Sequence, residues 1–98
     1  MVWMKKTDVL QLNLKREFFD RIVRGKKPFE YREYKPYWKT RLEGRDYKVI
    51  NFRNGYSPNA PEMLVEFRGL GRDGKSRKAD YKIKLGPILK LKRWPPKG

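Results

Sequence analysis

The sequence predicts an α+β domain in which an antiparallel sheet of five or six strands curls into a small barrel beside two short helices. A chain of 98 residues is long enough to bury one modest core but not two. Its first half passes twice from strand-like alternation to helix-like periodicity, and its second half consists of strand-like runs separated by turn residues. Closing such a sheet into a barrel protects the edges of its short strands.

The predicted order begins with a strand and an amphipathic helix. Residues 9–14 alternate between apolar and polar side chains, which is typical of a half-buried strand. We expect Asn13 to cap the helix that follows, because its side chain can accept a hydrogen bond from the first turn, and Gly25 to end it in the left-handed conformation. The apolar stripe of this helix consists of Phe18, Phe19, Ile22 and Val23.

The later elements are mostly strands. A second strand is predicted over residues 29–34, and a short helix from Pro36 to near Gly44. Four further strands are predicted over residues 47–52, 62–70, 81–85 and 88–91, with Gly86 and Pro87 bending the chain between the last two. We expect residues 1–98 to form a single domain with mobile tails at residues 1–8 and 94–98. The Asp73-Gly74 turn collects a cluster of cations, namely Arg72, Lys75, Arg77 and Lys78.

The charge balance indicates a polyanionic partner. The chain carries 26 Lys and Arg against 11 Asp and Glu, a net charge of +15. Such an excess destabilises a compact state through self-repulsion unless a polyanion or salt offsets it, which favours a nucleic acid. The alternatives are a surface adapted to solubility or heat, and an anionic membrane, which is less favoured because the sequence shows no strongly cationic amphipathic helix.

The composition also excludes several chemistries. The chain contains neither Cys nor His, which excludes disulfides, thiolate nucleophiles, imidazole bases and the usual zinc sites. The carboxylates show no metal-binding spacing, so we expect neither a metal nor another cofactor. The sequence has no apolar run long enough to cross a bilayer and no signal-peptide pattern, so we expect a cytoplasmic protein with no membrane partner.

Residues 25–32 are the strongest candidate for a functional site. They place Lys27, Glu30 and Arg32 where the first helix ends and the second strand begins. Glu30 and Arg32 share one face of that strand, and the fixed backbone of Pro28 allows Lys27 to reach the same cleft. In one interpretation Glu30 is a partly buried ion-pair partner that anchors the strand. In the other it accepts hydrogen bonds from a bound base while the two cations hold phosphate or a carbonyl oxygen.

The same residues resemble a known family. The pattern Gly25-x-Lys27-x-x-Glu30-x-Arg32 is similar to the G-x-K-x-x-E-x-R pattern of ASCH domains, which are small PUA-like barrels, and the likeness continues through residues 36–39 and 52–56. It spans roughly residues 9–91. The resemblance implies a PUA-like barrel that binds RNA or modified nucleobases, and some members are similar to ribonucleases or to amidohydrolases acting on acylated cytidine. It implies that Lys27 matches the catalytic lysine of those enzymes. Glu30 stands where the amidohydrolase branch carries a nucleophilic Thr, which counts against that activity.

The sequence therefore predicts a monomeric RNA-binding module that prefers single-stranded RNA or an unpaired or modified base beside residues 25–32. One alternative is a metal-independent ribonuclease or nucleobase-directed amidohydrolase in which Lys27 and Glu30 are catalytic. Another is a basic adaptor for an acidic protein. For Asn54, a simple turn with Gly55 is as good an interpretation as a base contact. The predicted nucleic-acid-binding residues are cations, rings beside cations and one amide: Arg16, Arg21, Arg24, Lys27, Arg32, Tyr34, Tyr37, Arg53, Asn54 and Tyr56.

Overall fold

One curled sheet and two short helices make up the computed structural model, which describes residues 5–74 and 79–95. The predicted α+β class, with two helices and a barrel-like sheet, is confirmed for these residues. Neither helix in this part of the chain is long and apolar enough to cross a membrane. The elements are a 3-10 turn (Lys6–Asp8), β1 (Val9–Asn13), α1 (Arg16–Val23), β2 (Phe29–Arg32), α2 (Pro36–Leu42), β3 (Val49–Arg53), β4 (Glu62–Arg72) and β5 (Tyr81–Lys92).

The strands lie in the order β1-β3-β4-β5-β2, so β1 and β2 form the two edges of the sheet. Three of the described pairs are antiparallel as predicted, but β1 runs parallel to β3. The parallel pair arises because α1, β2 and α2 return the chain to its starting side before β3 begins. The sheet curls into a half-barrel, and Arg32 of β2 reaches the carbonyl oxygen of Asn13 at the end of β1 at 3.0 Å. We call the gap between β1 and β2 the seam.

The core fills the concave side of the half-barrel. Inward residues of neighbouring strands stand opposite each other, as Leu12 does with Phe52 and Phe52 with Met63. Ile50, Val65 and the other core members are almost fully buried. The core cluster consists of Leu10, Leu12, Leu14, Phe19, Ile22, Leu42, Ile50, Phe52, Met63, Val65, Tyr81 and Ile83.

The start of α1 differs from the sequence prediction. Lys15 occupies the capping position, and no side chain in the described residues caps the first turn. Asn13 instead pairs with the loop after β3, where its Nδ2 donates to the Gly55 carbonyl at 2.9 Å and its Oδ1 accepts from the Gly55 N–H at 3.2 Å. The predicted cap is wrong because Asn13 is still part of β1, three residues before the helix starts at Arg16. Its amide joins the end of β1 to the β3–β4 loop.

The end of α1 is as predicted. Gly25 has φ +72°, a conformation that costs other residues strain. The Gly25 N–H donates to Ile22 O at 3.0 Å and the Lys26 N–H donates to Arg21 O at 2.9 Å, which is the double closure of a Schellman motif. This sharp ending turns the chain directly into β2.

The last two predicted strands form one long strand. Gly86 and Pro87 lie within β5, where its pairing with β4 is irregular, rather than at a bend between strands. An irregular stretch tolerates Pro87 because its ladder does not need the missing N–H. A Cβ on Gly86 would lie 2.7 Å from Arg68 Nε and 2.9 Å from Glu66 Cβ. Glycine is therefore required here by close approach.

The chain after β5 is attached to α1. The indole Nε1 of Trp94 donates to Asp20 Oδ1 at 2.8 Å, and its ring packs against the core. This hydrogen bond is the main reason that the pKa of Asp20 lies below its usual value. The ordered contacts thus include Trp94, the first residue of the predicted C-terminal tail. Of the predicted cation cluster at the hairpin tip, Lys75, Arg77 and Lys78 lie outside the described residues.

Candidate functional site

Lys27, Glu30 and Arg32 meet at the turn from α1 into β2, and we call these three side chains the junction cluster. Glu30 is only 5% exposed. Its Oε1 lies 3.3 Å from Lys27 Nζ and accepts from the Tyr31 N–H at 3.1 Å, while its Oε2 accepts from Arg32 Nη2 at 2.6 Å. The Schellman ending of α1 and the strand conformation of β2 together place the two cations on either side of one carboxylate.

This arrangement restricts what Glu30 can do. Both of its oxygens are engaged. To accept a proton from a substrate, Glu30 would have to give up an ion pair or a backbone hydrogen bond. The carboxylate instead orients Lys27 and Arg32, whose side chains remain about one sixth exposed. Arg32 also bridges the seam through Asn13, and its Cζ lies 4.9 Å from the centroid of the Trp38 ring.

Two cavities adjoin at the seam, and we call them together the seam groove. The first has a volume of about 420 Å³ and contains the junction cluster. The second has a volume of about 460 Å³ and extends toward α2 and the β3–β4 loop. Asn13, Leu14, Lys15 and Arg32 line both cavities. The first is also lined by Phe18, Lys27, Glu30 and Tyr31, and the second by Gln11, Leu12, Tyr37, Trp38, Arg53 and Tyr56.

Exposed tyrosines line both cavities of the groove. Tyr31 is 39% exposed in the first cavity, and Tyr37 and Tyr56 are 51% and 89% exposed in the second. Two of these rings lie beside cations, since Lys27 Nζ is 5.3 Å from the Tyr31 centroid and Arg41 Cζ is 3.5 Å from the Tyr37 centroid. Accessible rings of this kind offer stacking surfaces to planar ligands.

The electrostatic character of the groove is positive. Lys15, Lys27, Arg32 and Arg53 line its walls, and Glu30 is the one acid among the described lining residues. Four cations against one carboxylate leave a local charge of +3. Within residues 5–74 and 79–95, no three acidic side chains are grouped closely enough to hold a metal ion. The site is therefore suited to an anion.

The structure brings together only some of the predicted binding residues. Lys27, Arg32, Tyr37, Arg53 and Tyr56 all line the groove. The predicted catalytic residues Lys27 and Glu30 share its first cavity. In the described part of the chain, the remaining predicted residues lie outside its lining: Arg16, Arg21, Arg24, Tyr34 and Asn54.

The residues outside the groove have other contacts. Arg16 pairs with Asp20 at 3.3 Å on the exposed side of α1. Tyr34 packs against Tyr81 with a centroid distance of 5.2 Å, and Arg72 Cζ stacks 3.5 Å from the Tyr34 centroid. Tyr34 is therefore held by Tyr81 and Arg72. These contacts explain why Tyr34 does not reach the groove, although it lies beside cations in the sequence.

The β3–β4 loop is held by its own polar side chains. Asn54 Nδ2 donates to the Leu14 carbonyl at 2.9 Å, and Arg53 Nη2 donates to the Ser57 carbonyl at 2.6 Å. Arg53 Nε also lies 3.2 Å from Glu62 Oε1. These contacts support the turn interpretation of Asn54. They also fix the loop residues on either side of the exposed Tyr56.

Sequence reasoning left out Lys15 and Tyr31 as binding residues. Lys15 lines both cavities because it lies in the short turn between β1 and α1. Its sequence signal is its position directly after the first predicted strand, on the chain that borders the junction. Tyr31 points away from Glu30 along β2, yet lines the same cavity.

The chain was compared with protein-family models, with curated proteins and with solved structures. None of the three comparisons finds a match, so the resemblance to ASCH domains stays a prediction from the sequence.

Proposed function

We propose that the protein binds single-stranded RNA in the seam groove. The observation that carries this proposal is the pair of adjoining cavities whose walls together carry four cations, three exposed tyrosines and one fully engaged carboxylate. Cations supply the affinity for phosphate, and rings supply stacking with bases, at about 1–3 kcal/mol per base.

The shape of the groove favours unpaired over paired RNA. Each cavity has a volume within the range of small-ligand pockets, so each accommodates a planar base that has left its stack. The Arg32 bridge to Asn13 lies where the two cavities meet. In a duplex the bases face inward and cannot enter such hollows, so a duplex would contact only the rims.

The residues of the groove divide into two roles. Lys15, Lys27 and Arg32 lie around the first cavity and its boundary with the second, where a phosphate between two bound bases would pass. Tyr31 offers a ring on one side of this boundary, and Tyr37 and Tyr56 offer rings on the other. Glu30 holds the cations in place.

RNA cleavage without a metal is the second candidate. Lys27 and Glu30 share one accessible cavity, which is the arrangement that a lysine and carboxylate pair would need. Binding is favoured because Glu30 is already paired with Lys27 and accepts hydrogen bonds from Arg32 and a backbone N–H.

The test compares a fluorescein-labelled single-stranded RNA with a duplex of the same sequence, in the presence of a chelator. We expect tighter binding of the single strand, a log affinity that falls by about 0.7 for every phosphate contacted per tenfold rise in salt, and no cleavage products. Equal affinity for the duplex, or an affinity that does not change with salt, would contradict the proposal, and the latter would favour an adaptor for proteins. Cleavage that persists with chelator and disappears in Lys27→Ala would establish the hydrolase instead.

A further inference from the structure

A second hollow lies on the convex face of the sheet, next to the first cavity of the seam groove. It has a volume of about 340 Å³, and β4, β5 and β2 all contribute to it. Residues two apart on a strand share a face, so its residues form two rows that cross the three strands about 7 Å apart. One row is Gly69, Lys84 and Phe29, and the other is Gly71 and Lys82, which stands opposite Tyr31 of β2 just outside the lining of the hollow. We call this hollow the glycine trough.

The floor of the trough is bare backbone. A Cβ on Gly69 would meet nothing within 4 Å, and one on Gly71 would meet only the Lys82 carbonyl oxygen at 4.0 Å. The space above β4 is therefore open at these two positions. A ligand can approach the sheet more closely here than on a face covered by side chains.

The walls of the trough carry positive charge. Lys82 and Lys84 have no ion pair within the described residues, whereas Arg68 at the end of the trough pairs with Glu66 at 3.0 Å. Lys82 Nζ lies over the Phe29 ring, 4.1 Å from its centroid. Phe29 is only partly exposed and has this ammonium over one ring face, so the trough offers a base less ring surface than the exposed tyrosines of the seam groove and is better suited to phosphate.

The trough continues from the seam groove. Tyr31 stands opposite Lys82 in the β2–β5 pair, and the same Tyr31 lines the first cavity of the groove. A strand of RNA that leaves this cavity past Tyr31 meets Lys82 next and then Lys84.

We propose that the glycine trough binds the phosphodiester backbone of the RNA strand whose bases lie in the seam groove. This inference rests on the proposed function and extends the binding site from the seam across β2 to β4. Two lysines then contact phosphates beyond those in the groove, so a longer strand gains contacts that a short one cannot make.

The experiment measures the salt dependence of binding for two fluorescein-labelled oligouridines, one of about four and one of about twelve nucleotides, which span the usual site sizes. In Lys82→Gln/Lys84→Gln, we expect the slope of log affinity against log salt to become shallower by about 1.4 for the longer strand, at about 0.7 per phosphate contact. The slope for the shorter strand should not change. The matched control is Lys90→Gln/Lys92→Gln, which removes two exposed lysines from the other end of β5 and should leave both slopes unchanged.

A second variant tests the trough without a change in charge. Gly71→Leu places a side chain on the floor, at a position whose backbone any residue can adopt, and should weaken only the longer strand. If the slope for the longer strand did not change in Lys82→Gln/Lys84→Gln, or changed equally in the control, the proposal that the trough binds phosphates would be contradicted. If Tyr37→Ala and Tyr56→Ala left both oligouridines unaffected while the lysine variant still lost its slope, the seam groove would be refuted and the trough would stand.

Discussion

Glu30 carries a charge in a place where water reaches only 5% of the residue. Removing a carboxylate from water costs several kcal/mol, and here the two cations and the Tyr31 N–H offset that cost. The same carboxylate keeps Lys27 and Arg32, which would otherwise repel each other, side by side. Glu30 is thus a positioning residue in the proposed site.

Replacing Glu30 tests this role. Glu30→Gln keeps the shape and removes the charge, so Lys27 and Arg32 lose their common partner in a mostly buried place. We expect the free energy of unfolding in urea to fall by about 2–4 kcal/mol, somewhat reduced by the residual exposure of both cations. The control is Glu33→Gln, whose side chain is 72% exposed and 3.5 Å from Lys35, and which should change stability by less than about 0.5 kcal/mol. Equal effects of the two variants would contradict the role assigned to Glu30.

Tyr56 presents the opposite case, a large ring that is 89% exposed. Because the ring has little to pack against, Tyr56→Ala should leave the melting temperature almost unchanged. We expect the affinity for single-stranded RNA to fall about 5- to 150-fold, the equivalent of one lost stacking contact. The measurement is fluorescence anisotropy, with Leu89→Ala as an exposed apolar control outside the groove. If only Leu89→Ala lost affinity, the RNA would bind outside the seam groove.

At the scale of elements, the junction between α1 and β2 sets the geometry of the groove. The Schellman motif ends the helix within two residues, so Lys27 is already in position to pair with Glu30 three residues later. Had α1 continued for another turn, Lys27 would lie on its surface and the first cavity would lose one of its cations. The local sequence thus determines where the site lies.

β5 depends on one glycine for its passage along β4. Gly86→Ala would place a Cβ 2.9 Å from Glu66 Cβ, so the strands must move apart, and we expect the free energy of unfolding to fall by about 1–3 kcal/mol. The matched control is Gly71→Ala, whose nearest neighbour would be 4.0 Å away and whose effect should stay within about 0.5 kcal/mol. Urea denaturation measures both. If Gly86→Ala did not change the free energy of unfolding, β4 and β5 would be able to shift apart locally at no cost in stability.

Local patterns predicted most of the elements but not their long-range partners. Alternation and turn residues located β1, β2 and β4, and Gly25 marked the end of α1, because these signals depend only on neighbours in the chain. The parallel pairing of β1 with β3 depends on the path of the intervening chain. Likewise, the Asn13 side chain could cap a helix, but its amide is hydrogen-bonded to Gly55, 42 residues further along the chain.

The site was predicted to a similar extent. Lys27, Glu30 and Arg32 lie within six residues, and they meet as expected because a helix end and a strand entry fix their offsets. The residues that line the second cavity were harder to predict from the sequence, because they depend on how α2 and the β3–β4 loop approach β1. Asn54 illustrates the limit, since its amide is satisfied by the Leu14 carbonyl of another element.

At the scale of the whole molecule, the core and the surface respond to different conditions. The chain carries a net charge of +15, so added salt or a bound polyanion relieves repulsion and stabilises the fold. The core contains one ionisable side chain besides Glu30 among its described buried residues, Tyr81, which donates a hydrogen bond to the Glu43 carboxylate.

Stability should therefore decline at alkaline pH. Burial in the core, together with the Glu43 carboxylate, raises the pKa of Tyr81 from 10.0 to about 12. Below pH 10 the tyrosine is protonated in both states, so its contribution is fully present. Between pH 10 and about 12 only the unfolded chain releases the proton, so the free energy of unfolding falls as pH rises.

The measurement is the free energy of unfolding against pH for the protein and for Tyr81→Phe. All other ionisable groups are common to both proteins, so the difference between the two curves isolates Tyr81. We expect the protein to lose stability relative to Tyr81→Phe above pH 10. Parallel curves throughout this range would show that Tyr81 ionises as readily in the core as in water.

The order of the strands also bears on biosynthesis. β1 and β2 leave the ribosome first, yet β1 pairs with β3 and β2 pairs with β5, the last strand of the sheet. At translation rates of about 5–20 residues per second, the nascent chain carries both strands without partners for several seconds. Since the seam needs both edges in place, the seam groove forms only after β5 has been synthesised, and the proposed RNA site is absent from the nascent chain until then.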